Sequence, residues 1–154
     1  MRAVVQRVLE SSVTVGNKLV GEIGPGFTIL LGIVKDDNEQ QAELLAGKIA
    51  RLRVFCDAED KMNLSLPDIG GSVLVISQFT LCADIKKGNR PSFSESANPE
   101  DAKRLYELFI EKLKYNGIAN VQTGIFAAKM TLKIINDGPV TIVYDTDIWL
   151  KDDI

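Results

Sequence analysis

Two short segments carry the residue types from which chemistry can be built: Ser77-Gln78-Phe79-Thr80-Leu81 and Asn136-Asp137-Gly138-Pro139-Val140-Thr141. In the first, Thr80 offers a hydroxyl nucleophile, which Lys86 or Lys87 would have to activate. The chain has no histidine, so Ser-His-Asp and Cys-His arrangements are excluded. A general base would therefore be a carboxylate, a lysine, a backbone group or the substrate itself. Thr80 has a second possible role through its backbone, whose N–H, with that of Phe79, would face a developing oxyanion. The missing base favours this second role, and a strand threonine bonded to a neighbour is the plain alternative. Ser77 and Gln78 end an apolar run, where burial without partners is costly. A ligand would satisfy them, and so would side-chain-to-backbone bonds. Cys82, just past the motif, reads as a small apolar filler.

The second segment is a puzzle of turn chemistry. Asn136-Asp137-Gly138 suits a hairpin, but Pro139 directly after it removes a ladder donor. X-Pro bonds are cis at only about 5% of positions in folded proteins, so the residues alone favour trans Gly138-Pro139.

The elements that must position these segments follow from patterning. Strands are expected over 2–9, 12–15, 18–23 and 27–34, the last a continuous apolar run buried on both faces. Asp36-Asp37-Asn38 offers caps for a helix over 38–51, whose apolar positions Ala42, Leu45, Ala46 and Ile49 fall at helical spacing. A strand over 52–56 and a polar loop over 57–71 come next. The strongest strand signal is 72–82, where period two would put Ser77, Phe79 and Leu81 on one face and Gln78, Thr80 and Cys82 on the other. After a loop over 84–97, Asn98-Pro99-Glu100-Asp101 is a well-formed helix start, and Leu105, Leu108, Phe109 and Leu113 form its buried stripe. Residues 129–135 and 139–145 read as strands joined through Asn136-Asp137-Gly138. The expectation is a single α+β domain over 1–154, with a mostly antiparallel, barrel-like β-sheet and two main helices.

Bulk composition narrows the function classes. With 154 residues, 45% hydrophobic and 25% charged, the chain is an ordinary globular domain. No apolar run approaches the length of about 20 residues that spans a bilayer, so no membrane partner is expected. The N-terminus lacks the pattern of a secretory signal, and two cysteines are too few for a disulfide framework, so a bacterial-type cytoplasm is the expected location. Neither an imidazole nor a closed thiolate metal site can be built, and no metal or cofactor is expected. A net charge of −3 argues against coating long nucleic acid, and DNA is not an expected partner. Gripping only the end of an RNA strand remains open. Lys86, Lys87 and Arg90 form the one local basic cluster, for which a solvated loop is the plain reading.

Taken in order, MRAVVQRV, GGSVLVISQFTL, GNRPSF, TGIFAAKM and NDGPVT resemble the D-aminoacyl-tRNA deacylase family, with matching spacing from Met1 to about Asp145. Two departures stand out. Lys129 replaces the acidic residue usual before the methionine, and the tail from Thr146 to Ile154 is longer than expected.

The resemblance implies hydrolysis of the ester bond of D-aminoacyl-tRNA and of glycine misloaded on a non-cognate tRNA such as tRNA-Ala, a proofreading step in translation. It implies a homodimer with active sites at the interface, where a cis Gly138-Pro139 peptide of one subunit points into the pocket of the other. That peptide would bind the substrate's α-amino group and leave no room for an L side chain. The partner is the tRNA 3′ end. An aminoacyl ester is already activated, so placed water, backbone donors and the terminal ribose hydroxyl could suffice. On this basis Ser77, Gln78, Phe79 and Thr80 are the catalytic candidates, with Phe79 against adenine or in the core. Gly138, Pro139, Asn136, Arg7 and Met130 are the candidates for binding and chiral selection. Arg7 would hold the Gly-Pro loop by bonding carbonyls, with a surface ion pair as the plain reading. Met130 would line the adenine pocket, with core packing as its alternative.

Overall fold

The structure, a computed structural model, describes residues 1–150. Its frame is one long strand, β1 (Arg2–Val15), which is followed by β2 (Lys18–Ile23) and β3 (Gly26–Gly32). Helix α1 (Glu39–Ala50), strands β4 (Phe55–Cys56) and β5 (Met62–Leu64) and a short helix α2 (Leu66–Ile69) lead to β6 (Ser72–Ser77). A 3-10 turn (Phe79–Cys82), helix α3 (Pro99–Tyr115), β7 (Asn120–Thr123), β8 (Thr131–Asp145) and helix α4 (Thr146–Leu150) complete the order.

The main sheet runs β2-β1-β3-β6-β7, with β8 on β1. Pairings of β1 with β2, β3 and β8 are antiparallel, and those of β6 with β3 and β7 are parallel. One edge of β1 carries β8 along its length, while the other is shared by β3 and β2. That sharing bends β1 and curls the sheet toward closure. At the closing seam a Cβ on Gly21 of β2 would lie 2.8 Å from the Thr123 carbonyl of β7, so only glycine permits this approach.

Both faces of β3 and β6 are buried, which explains their unbroken apolar runs. Phe27, Ile29, Leu31, Val73 and Val75 face a large core with α1 and α3, while Leu74 and Ile76 join Val8, Val13 and Ile23 in a second core. Helix α1 begins with a capping box from Asn38 and Gln41, and α3 is capped by Asn98 with Pro99 in its first turn. The α+β class, barrel-like sheet and two main helices agree with the sequence expectation.

Several elements differ from it. Residues 2–9 and 12–15 are one strand, because β8 pairs with both parts. The expected strand over 52–56 is reduced to Phe55–Cys56. The polar segment 57–71 holds β5 and α2, the latter started by a Ser65–Asp68 capping box. The strand expected to reach residue 82 stops at Ser77, where its β3 partner also ends (Leu31 pairs with Ser77). Without a ladder neighbour the chain tightens into the 3-10 turn. No hairpin forms at 136–138 either. Asn136 pairs with Val8 and Thr141 with Gln6, so both flanks bond the same strand and residues 137–140 leave the ladder opposite Arg7. Part of the long tail forms α4, and residues 151–154 lie outside the described residues.

Candidate active site

A cavity of about 520 Å³ opens at the end of β6, walled by Ser77, Gln78 and Phe79, by Ser96 and Ala97 before α3, and by Phe126, Ala127, Ala128 and Met130. Its remaining lining is Ile33, Ile76, Pro99, Ala102 and Leu132, so among the described residues no ionisable side chain contributes to the wall. Proton transfer inside it must be carried by hydroxyls, amides, water or a ligand.

The 3-10 turn that replaces the expected strand end shapes this site. The alternating faces expected for residues 77–82 therefore do not exist. The turn's internal bonding starts with Leu81 N–H to Gln78 O at 3.2 Å. The N–H groups of Phe79 and Thr80 precede that first bond and belong to the unpaired start of the turn. The turn is held from below by β3, since a Cβ at Gly32 would meet Leu81 Cβ at 2.9 Å and Gln78 O at 3.1 Å. It is held at its end by Arg2, whose Nη1 donates to Leu81 O at 3.0 Å. Gln78 Nε2 donates to Thr80 Oγ1, which fixes the hydroxyl at the exposed rim. Phe79 is exposed and meets Phe93 edge-on, with ring centroids 5.0 Å apart.

Met130 lies on the opposite wall because Gly124 makes room for it; a Cβ there would come within 2.5 Å of Met130 Sδ. Ala127 holds φ +64° between them, in a turn closed by Ala128 N–H to Ile125 O at 3.2 Å. The same wall rests on Tyr106, whose ring is 5.8 Å from Phe126 and whose hydroxyl donates to Val75 O at 3.0 Å. Burial pushes the Tyr106 phenol up to about 12, so it stays protonated. Cys82 is buried with its thiol against Ile33 O, and burial pushes the thiol up, which agrees with a filler and not a nucleophile.

The second group of candidates stands apart from this cavity within the chain. Arg7 is 9% exposed, its Nη1 donating to Val54 O at 2.5 Å and its Nε to Asp137 O at 3.1 Å. The Asp137 carboxylate is 3.4 Å from the same Nε. Arg7 is thus no surface ion pair. It fastens the start of the excursion that carries Gly138 and Pro139. The Gly138-Pro139 bond is cis, and Gly138 takes φ +125°, a conformation that disfavours any Cβ. Asn136, Gly138 and Pro139 are exposed and do not line the cavity. Ser77, Gln78, Phe79 and Met130 are therefore brought together, with Thr80 at their rim, while Arg7 and residues 136–139 form a separate outward-facing unit. Lys86 and Lys87 do not line the cavity. Ser96, Ala97, Phe126, Ala127 and Ala128 were not singled out from sequence. Phe126, Ala127 and Ala128 lie within the segment TGIFAAKM, and the only signal for Ser96 and Ala97 was proximity to GNRPSF.

The sequence profile of a family described as D-Tyr-tRNA(Tyr) deacylase matches residues 4–145. A relative from Fervidobacterium nodosum named D-aminoacyl-tRNA deacylase is 57% identical over 146 residues, covering 95% of this chain and 97% of its own. Another of that name, from Desulfotalea psychrophila, is 54% identical over 147 residues, covering 96% and 98%. A solved chain described as "c-Myc DNA Unwinding Element Binding Protein" superposes with a TM-score of 0.89 at 41% identity, over 94% of this chain and 98% of that one. A second, described as "a probable eukaryotic D-amino acid tRNA deacylase", shares the fold with a TM-score of 0.80 at 17% identity, over 93% and 97%.

Proposed function

Since the chain belongs to the D-Tyr-tRNA(Tyr) deacylase family and is a hydrolase of the D-aminoacyl-tRNA ester, we propose that it proofreads in the cytoplasm by a backbone-donor mechanism. The observation that carries this reading is a cavity without ionisable side chains among the described residues, whose wall includes Phe79 at the unpaired start of the 3-10 turn, with Thr80 next in the chain. The 3′-terminal adenosine enters with its adenine between Phe79 and Met130, and Ser77 and Gln78 satisfy ribose and amino-acid polar groups. Water adds to the ester carbonyl carbon while the two N–H groups receive the oxyanion. The carbon–oxygen ester bond then breaks, and the ribose oxygen leaves with a proton. The vicinal ribose hydroxyl relays that proton, since among the described residues no side-chain base lines the cavity.

Stereochemical choice is assigned to the unit that stands apart. In a homodimer the exposed Asn136, Gly138 and Pro139 of one subunit cover the cavity of the other, and Arg7 holds the unit steady from within its own subunit. The outer edge of β8 carries no further strand among the described residues, and Ile135 and Val143 on it are 38% and 75% exposed, which suits a face that a second copy covers. Backbone carbonyls of the loop take the α-amino group, and an L side chain meets the loop. A D side chain points away and glycine has none, so glycine on tRNA-Ala is also cleared. The test is release of amino acid from D-Tyr-tRNA, L-Tyr-tRNA and Gly-tRNA-Ala. Cleavage of the first and third with sparing of the second is expected. Equal cleavage of both tyrosyl enantiomers would refute the steric filter.

A further inference from the structure

A hairpin over residues 84–92 rises from the cavity rim, and the ester chemistry makes no use of it. Two backbone bonds close its base, Asp84 N–H to Ser92 O at 2.8 Å and Ser92 N–H to Asp84 O at 2.9 Å. Asp84 Oδ1 accepts from Lys86 N–H at 2.9 Å, and Gly88 turns the tip with φ +70°. Both feet belong to the site. One leaves the 3-10 turn through Ala83. The other passes through Phe93, edge-on to Phe79, to Ser96 and Ala97 in the cavity wall. The hairpin therefore stands beside the mouth.

Its tip is charged out of keeping with the chain. Residues 85–91 hold Lys86, Lys87 and Arg90 and no acid, in a protein of net charge −3. All three cations are exposed, and none belongs to an ion pair among the described residues. The nearest acids in sequence, Asp84 and Glu95, lie at and beyond the closing bridge. Between tip and cavity stand Phe79 and Phe93, 56% and 36% exposed, with Ile85 at 71%. Cations beside exposed aromatics are the combination by which proteins hold single-stranded nucleic acid.

We infer that this hairpin grips the unpaired RNA strand whose last nucleoside occupies the cavity, with Lys86, Lys87 and Arg90 against the phosphates on its 5′ side. The inference rests on the tRNA-ester reading and extends it from the terminal nucleoside to the nucleotides before it. It also explains how an acidic protein holds tRNA: a few local contacts suffice, and the rest of the surface repels long nucleic acid.

The test compares the full-length wild type with a K86A/K87A/R90A variant on two substrates, D-Tyr-tRNA and D-tyrosyl-adenosine, which lacks the 5′ phosphates. On the tRNA, kcat/KM at low salt falls about 10- to 100-fold in the variant, chiefly through KM, and its log–log salt slope becomes shallower by about 2, from roughly 0.7 per lost contact to a single strand. On D-tyrosyl-adenosine the variant equals the wild type. Lys114→Ala, an exposed lysine in the last turn of α3 at the opposite end of that helix from the cavity wall, leaves both substrates and the slope unchanged. Equal losses on both substrates would show that the hairpin shapes the pocket, and an unchanged salt slope would show that it touches no phosphate; either overturns the grip. A wild type that cleaves neither substrate defeats the ester reading instead. The grip is then judged separately by binding of uncharged tRNA, weaker in the variant if it holds. Competition as strong from an acidic peptide as from an unpaired RNA 3′ end would assign the tip to a protein partner and overturn it.

Discussion

Replacing Gly32 by alanine tests whether the position of the 3-10 turn governs catalysis. Gly32 ends β3, paired with Arg2 of β1, so its backbone is tied into the sheet. An added Cβ would stand 2.9 Å from Leu81 Cβ, 3.1 Å from Gln78 O and 3.4 Å from Cys82 Sγ. Carbon atoms settle near 3.5 Å or more, so the turn must retreat by about 0.6 Å. The N–H groups of Phe79 and Thr80 move with it. A misplacement of 1 Å costs up to about a hundredfold in rate, so kcat should fall roughly tenfold or more. The same overpacking costs about 1–3 kcal/mol. At this chain length that lowers Tm by about 2–4 °C per kcal/mol, leaving a folded protein at 25 °C. The assay is single-turnover release of labelled D-tyrosine from saturating enzyme, with Tm measured on the same preparation. A depressed Tm with wild-type kcat would refute the reasoning, because the turn would have moved without consequence for the chemistry.

Three further outcomes follow from the same geometry. Thr80→Ala keeps the backbone donor and loses only the hydroxyl that Gln78 bonds, so kcat should stay within about tenfold of wild type, well short of the hundredfold or greater loss of an oxyanion donor; a larger loss with a trapped acyl-enzyme would restore Thr80 as nucleophile. Arg7→Lys can replace at most one of the bonds to Val54 O and Asp137 O, costing about 1.5–3 kcal/mol. Its Tm should fall and its cleavage of L-Tyr-tRNA relative to D-Tyr-tRNA should rise, and no change in either would remove Arg7 from its holding role. Tyr106, pushed up to about 12, keeps its proton in the fold after the unfolded chain has lost it near 10. Its contribution is fully present below pH 10 and is lost as pH rises toward 12, so urea midpoints should decline less between pH 8 and pH 11 in Tyr106→Phe than in wild type. Equal declines would contradict this.

What the sequence disclosed depended on whether a signal was local. The cap at Asn98-Pro99, the stripe of Leu105, Phe109 and Leu113, and the two-sided burial of Val73 to Ile76 are written in adjacent residues, and all were legible. The end of β6 was not, because it is set by where β3 stops, more than forty positions away in the chain. The continuity of β8 across Gly138-Pro139 was hidden for the same reason, since its partner is β1. Strand β7, a short Asn-Val-Gln-Thr segment, holds its place through β6 and carries no pattern of its own. In the site, Ser77 to Phe79 and Met130 do share one wall, but Ser96, Ala97 and Phe126 to Ala128 reach it only through tertiary packing.

The separation of the cavity from the unit of residues 136–139 bears on how defects combine. In the proposed dimer every site borrows its lid from the neighbour, so a lesion in the cavity and a lesion in the loop damage different copies of the site. Mix two inactive proteins, one defective at Gly32 or Phe79 and the other at Gly138, and the mixed dimers hold one wholly intact site beside one doubly broken one. With random exchange about a quarter of the normal sites return, as twofold symmetry requires. Two faulty alleles can thus complement in one cell, while either one alone remains silent.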